Sequence, residues 1–266
     1  MSRSLPYLVI DAFTSRPFAG NPAAVIALDH WLPDELLQQI ATEMALSETA
    51  FFAPEDGGFR LRWMTPTTEV DLCGHATLAT GFALMRHLEP ERAAVRFWTR
   101  SGPLDVVRDG EVLTLDLPAR VASRVDDAVL LAAVTAALGA APVELWNAHN
   151  LMAVYADAAA VRGLAPDFRQ VRSLPTEGVI VTAPGEDGVD FVSRYFTPHH
   201  GIDEDPVTGS AHCTLGPYWA ARLGRRALAA RQISRRGGEL AVEVVDDRVR
   251  LGGRAVLVAR GELLLP

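Results

Sequence analysis

The chain has 266 residues, close to twice the ~150 of an ordinary domain, so it can form one large domain or two smaller ones. Its 49 % hydrophobic and 22 % charged residues mark a folded globular protein and exclude disordered, collagenous and fibrous classes. The 25 basic against 33 acidic residues give a net charge of −8, which argues against nucleic acid or an anionic membrane as partner; all 25 are arginine, which excludes lysine Schiff-base and pyridoxal phosphate chemistry.

The first element is a strand at Tyr7–Phe13, whose apolar stretch stops at Asp11 and so reads as a strand rather than a signal peptide. A second strand follows at Ala23–Leu28. Asp34–Met44 is an amphipathic helix, apolar at Leu36, Leu37, Ile40 and Met44. Alternating apolar residues predict further strands at Phe59–Met64, Leu104–Val107 and Val112–Leu117. Ala128–Leu138 is a helix with an acidic start at Asp126-Asp127 and a glycine stop at Gly139. Strands at Met152–Tyr155, Val179–Thr182, Phe191–Phe196, Leu240–Val245, Val249–Leu251 and Ala255–Val258 follow with few helices between them, which favours an antiparallel-rich α+β fold over βαβ winding. The helices Ala76–Leu88 and Ala211–Leu223 differ from the others, being apolar on nearly every face, and are expected inside the protein. The longest apolar run, Ala128–Val143, is interrupted and shorter than the ~20 residues of a membrane span. Two cysteines, Cys73 and Cys213, fit a cytoplasmic protein without a disulfide scaffold.

Short patterns recur in the same order along the chain. Asn21–Ala27 resembles Asn150–Ala156 at an offset of 129, and Ser47-Glu48 resembles Thr176-Glu177 at the same offset. Arg62–Pro66 resembles Arg194–Pro198 at 132, Gly74–Ala76 resembles Gly209–Ala211 at 135, and Ser101–Val106 resembles Gly237–Val242 at 136. The slow upward drift is what small insertions in a duplicated unit produce. The expected architecture is therefore two pseudo-symmetric lobes, residues 1–118 and 119–266, the last strand being free to return to the first lobe. Each lobe is expected to be a curved, mostly antiparallel sheet around a buried central helix, with a cleft between the lobes.

Both buried helices begin right after tight turns, Asp71–Thr77 and Asp203–His212. A helix start offers unpaired N–H donors and a partial positive charge, suited to a carboxylate. Glu48 lies among apolar neighbours in Ala45–Phe52, where burial would raise its pKa into the range useful for proton shuttling. The plainer alternative for Ser47-Glu48 is a turn cap, for His75 a helix cap, and for Asp205 a capping aspartate in a solvated acidic turn.

Ile10–Phe13 with Gly20–Pro22, Glu43–Glu48, Asp71–Thr77, and Phe196–Pro198 with Glu204–Ala211 resemble, in order, the phenazine-biosynthesis isomerase (PhzF-like) family. The resemblance implies the diaminopimelate-epimerase-like fold and a cofactor-independent isomerase acting on a small cyclic amino or hydroxy carboxylic acid, as trans-2,3-dihydro-3-hydroxyanthranilate isomerase does. It implies Glu48 as the proton shuttle and His75 and Asp205 as catalytic partners. Cys73, Gly74, Gly209 and Ser210 would bind substrate, and a homodimer is expected. One departure is that Leu72–Ala76 replaces the Phe-Ala-Gly-His-Pro segment of the phenazine isomerases proper, so the chain looks like the broader subgroup.

Two other readings compete. Cys73 ahead of Gly74 resembles the two-thiol racemases and epimerases of the same fold, but Pro206–Gly209 holds no partner cysteine and Cys213 lies several residues inside its helix. A non-catalytic relative could keep the cleft for ligand binding. The cluster His199, His200, Asp203, Asp205, His212 and Cys213 fits no zinc signature, so no metal is expected. Neither a G-x-G-x-x-G turn nor a phosphate loop is present.

Overall fold

The computed structural model describes residues 4–265. The chain divides into two compact units, one of the residues up to Asp116 together with those from Gly252 on, the other Leu117–Leu251.

In chain order the elements are β1 (Ser4–Ala12), β2 (Asn21–Ala27), α1 (Asp34–Met44), β3 (Glu48–Glu55), β4 (Gly58–Met64), β5 (Glu69–Val70), α2 (Gly74–Ala83), β6 (Ala94–Thr99), β7 (Gly102–Asp109) and β8 (Val112–Pro118). There follow β9 (Ser123–Arg124), α3 (Ala128–Leu138), β10 (Glu144–Asn147), β11 (Leu151–Val154), α4 (Ala158–Gly163), α5 (Phe168–Ser173), β12 (Val179–Pro184), β13 (Phe191–Phe196), α6 (Gly209–Leu223), β14 (Ala227–Gln232), β15 (Gly238–Val245), β16 (Arg248–Gly253) and β17 (Ala255–Leu264).

The two units repeat one pairing sequence. In the first, β1–β2 is antiparallel, β2–β3 parallel, β3–β4 antiparallel, β4–β6 parallel and β6–β7 antiparallel. In the second, β10–β11, β11–β12, β12–β13, β13–β14 and β14–β15 alternate in the same order. Antiparallel pairs predominate, but each unit also holds two parallel crossovers that the reading against βαβ winding did not foresee. Parallel neighbours need a connection long enough to cross the sheet. Here α1 and α2, and in the second unit α4 with α5 and then α6, supply it. β17 lies antiparallel on β1, so the last strand belongs to the first unit.

The two kinds of helix separate as their sequences require. α1 buries only Leu37, Ile40 and Ala41, against Ile26, Phe51 and Met64. α3 buries Val134, Ala137 and Leu138 toward Val179, Val181 and Phe196 while Val129 stays exposed. By contrast every residue of α2 except Phe82 is buried, and the helix packs against β1, β2, β3, β7 and β17. Its small residues permit that closeness. A Cβ at Gly81 would stand 2.8 Å from Val106 Cγ1, and one at Gly216 of α6 would stand 3.0 Å from Val242 Cγ1. Each buried helix thus meets the later strand of its unit through a glycine facing a valine.

Candidate active site

Glu48 is delivered by the end of α1. Ala45 leaves that helix in the left-handed conformation, φ 50°, and the chain turns through Ser47 so that Glu48 opens β3. Its register partner on β2 is Ala23. The side chain is 18 % exposed and its Oε2 lies 3.1 Å from His75 Nε2, off the straight line of an ideal hydrogen bond. His75 is the second residue of α2 and only 4 % exposed. It does not cap that helix, since Cys73 holds the cap position and no side chain bonds there.

The other ring nitrogen, Nδ1, faces Asn21 Nδ2 at 3.0 Å and Cys73 Sγ at 3.5 Å. Asn21 is wholly buried at the start of β2, and its Oδ1 accepts from Ser47 Oγ at 3.1 Å. The cluster is therefore a chain, Ser47 to Asn21 to His75 to Glu48, with Cys73 at its side. Glu48 and His75 were expected from the sequence; Asn21 and Ser47 were not. The signal for Asn21 was a polar residue opening an apolar strand and recurring as Asn150, which is also buried.

The electrostatics divide the cluster. Burial and then the Glu48 charge push the Cys73 thiol up to about 11, so it is a neutral S–H at pH 7. Burial alone would depress His75, but the Glu48 carboxylate beside Nε2 opposes it and holds the imidazole above the ordinary histidine value, the neutral Cys73 thiol adding only a weak contact. Glu48, Cys73 and His75 can each bring one ligand atom within 4.8 Å of the others, the one such group among the described residues. Both His75 ring nitrogens already face protein groups, Glu48 at Nε2 and Asn21 with Cys73 at Nδ1, so a metal ligated by the ring would have to displace one of them.

The second unit builds its helix start from different groups. The acidic trio separates: Asp203 is exposed, Glu204 closes a two-armed pair on Arg194 at 2.8 and 2.9 Å, and Asp205 is buried. Asp205 Oδ2 accepts from Thr208 Oγ1 at 2.6 Å, and Gln232 of β14 clamps the turn by donating to Asp205 O and accepting from Thr208 N. Gly209 and the half-buried Ser210 open α6, which like α2 has no side-chain cap. The outer helices α3, α4 and α5 are instead capped by Asp127, Asp157 and Asp167. Cys213 lies within α6, its Sγ toward Gly209 O, and burial pushes its thiol up to about 12. The helix-cap position that Cys73 occupies in the first unit is held by Thr208 in the second, so this chain has no second thiol in the matching place. Of the cluster weighed as a metal site, His212 is buried and its Nδ1 donates to Thr208 O at 2.8 Å, while His199 and His200 are exposed.

The sequence pattern of the phenazine biosynthesis-like proteins matches residues 10–261. An uncharacterized isomerase of Pseudomonas aeruginosa is 50 % identical over 262 residues, 98 % of this chain and 99 % of its own length. A crystal structure of a PhzF-family phenazine biosynthesis protein from Enterococcus faecalis is similar with a TM-score of 0.95 at 46 % identity, covering 99 % of this chain and 100 % of that one. A hydroxyproline epimerase from Agrobacterium vitis, 14 % identical, shares the fold with a TM-score of 0.62 over 99 % of this chain and 93 % of its own.

Proposed function

This chain belongs to the phenazine biosynthesis-like (PhzF-like) protein family, and from that premise we propose that it is a cofactor-independent isomerase that moves a proton on a small cyclic amino or hydroxy carboxylic acid. The observation that carries the proposal is the shielded Glu48 carboxylate 3.1 Å from buried His75. In the first step Glu48 takes a proton from an sp³ carbon, leaving the electron pair in the conjugated system of the substrate. In the second the same carboxyl group returns the proton to another carbon of that system, so no redox partner is consumed. One carboxylate serves as base and then as acid, at a typical contribution of ~10²–10⁴ in rate. His75 orients Glu48 and stabilises its charge.

Asp205, Gly209 and Ser210 enter the proposal as substrate-contacting groups on the strength of their family motif, as do Gly74 and Cys73. The uncapped start of α2 supports a carboxylate-bearing substrate, because its first N–H groups have no side-chain acceptor. A thiol-base racemase finds less support, since Cys73 stays protonated up to about pH 11. Assembly as a homodimer belongs to the same proposal and is checked by light scattering.

The test is solvent-deuterium incorporation by NMR with dihydro-3-hydroxyanthranilate and a panel of small cyclic and α-amino acids. Exchange in the wild type that vanishes in Glu48→Gln supports the proposal. Exchange that survives Glu48→Gln and is lost in Cys73→Ala overturns it in favour of the thiol mechanism. Ligand binding with no exchange across the panel favours a binding protein.

A further inference from the structure

Neither ring nitrogen of His75 is left to water, and the group at Nδ1 is an amide that can present either a donor or an acceptor. We propose that Asn21, pivoting on the Ser47 hydroxyl, is the positioning residue that sets how many protons the Glu48–His75 pair carries. Its bearing on catalysis rests on the role proposed above for Glu48.

Two self-consistent arrangements follow from the distances. In the first, Asn21 Nδ2 donates to Nδ1 across 3.0 Å, Ser47 Oγ donates to Asn21 Oδ1 across 3.1 Å, and the ring is neutral with its single proton on Nε2 toward Glu48. In the second, the ring has taken one proton from water onto Nδ1, which then requires an acceptor. A half-turn of the amide brings Oδ1 to Nδ1, and the oxygen and nitrogen are so nearly equal in size that the core need not repack. Nδ2 then points to Ser47 Oγ, which accepts it and turns its own hydrogen to the Pro22 carbonyl 3.3 Å away. Ser47 thus has an acceptor for its hydrogen in either arrangement, and the Cys73 thiol 3.5 Å from Nδ1 is a weak group that can rotate aside.

The groups facing the ring come from three elements: Glu48 from β3, Asn21 from β2 and Cys73 from the start of α2. The number of protons on the ring changes the chemistry of Glu48. Beside a neutral imidazole the carboxylate is the stronger base; beside an imidazolium it is the weaker base and the stronger acid.

The experiment is a ¹⁵N-histidine NMR titration of the full-length protein, which reports protonation at each ring nitrogen and needs no substrate. In the wild type above the His75 midpoint the proton is expected on Nε2 and not on Nδ1. Ser47→Ala removes the acceptor that the turned amide needs and should lower the midpoint, while Ser47→Thr, which keeps the hydroxyl, should leave it in place. Asn21→Asp, a fixed acceptor, should raise the midpoint by about one unit or more. A neutral wild-type ring protonated on Nδ1 overturns the proposal. So does a folded Ser47→Ala protein with an unmoved midpoint. Failure of the Glu48→Gln exchange assay together with the expected titrations would remove the catalytic reading and leave the Asn21 assignment standing.

Discussion

The starts of α2 and α6 are built to one plan and filled with different chemistry. In each, a side chain four residues after the cap bonds back to the cap carbonyl: Thr77 Oγ1 donates to Cys73 O at 2.5 Å, and His212 Nδ1 to Thr208 O at 2.8 Å. In each, an arginine from a strand ahead of the helix, β4 or β13, grips a glutamate with two arms, Arg62 on Glu69 and Arg194 on Glu204. In each, a glycine lets the helix meet a valine. Around that common frame the groups differ. His75 faces a carboxylate and is shifted up; His212, buried as deeply, faces no carboxylate and is shifted down to about 4 by burial. Glu48 opens its strand largely shielded, whereas Glu177 lies ahead of β12 and is 65 % exposed beside the exposed His149 and His200. What the duplication holds constant is backbone support, and what it lets vary is the set of groups that can hold a proton.

The two glutamates should differ most in their effect on proton exchange. Glu48→Gln should lower proton exchange ~10²–10⁴-fold while Glu177→Gln leaves it within a factor of two to three, as read by deuterium incorporation at saturating substrate. Equal losses would mean that the second glutamate is not merely a remnant of the repeat.

The histidines should separate next, through the pH dependence of stability. His212 has a folded pKa of about 4 against 6.5 when unfolded, so the unfolded chain binds the proton first and stability falls as pH drops from 6.5 toward 4. At pH 5 the loss is about 2 kcal/mol, and His212→Asn should flatten that limb of a urea-denaturation series. His75 works in the opposite sense. Its raised folded pKa gives stability that is complete below the unfolded value and lost as pH rises through the folded one, so His75→Gln should alter the alkaline limb.

Packing comes third. Gly81→Ala forces a Cβ to 2.8 Å from Val106 and should cost ~1–3 kcal/mol; Gly216→Ala, at 3.0 Å from Val242, should cost less. Val106→Ala in the same chain as Gly81→Ala should recover part of the loss, measured as a double-mutant cycle. The smallest effect belongs to the capped outer helices, where Asp127→Ala removes bonds to Val129 N and Leu130 N for ~1 kcal/mol in thermal unfolding.

Local signals in the sequence account for some of these elements and not for others. α1 and α3 fall at Asp34–Met44 and Ala128–Leu138 as their periodicity and end residues require. The buried helices, the repeated halves and the Glu48 and His75 positions were also visible. Hidden were β3, whose interior Thr49–Ala53 is buried throughout and so shows no alternation, and β14, whose Ala-Leu-Ala-Ala-Arg-Gln reads as the tail of a helix. β6 is missed as well, so three of the four parallel pairs lack one strand, while the fourth, β11–β12, joins two strands that the sequence does show, across the short helices α4 and α5 that it does not. The Asn21–His75 contact joins residues 54 apart, and no periodicity encodes it. Glu204 and Asp205 look alike in sequence, and only the reach of Arg194 and Thr208 tells them apart.

The pairing of β1 with β17 governs the order in which the molecule can be made. The second unit is continuous in sequence and has all its strands in hand once Leu251 has left the ribosome. The first unit waits with one edge of β1 unfilled until Ala255–Leu264 follows. An exposed strand edge of that kind invites pairing with a neighbouring chain. The unit that carries the Glu48–His75 pair therefore closes only when two stretches of chain far apart in sequence meet.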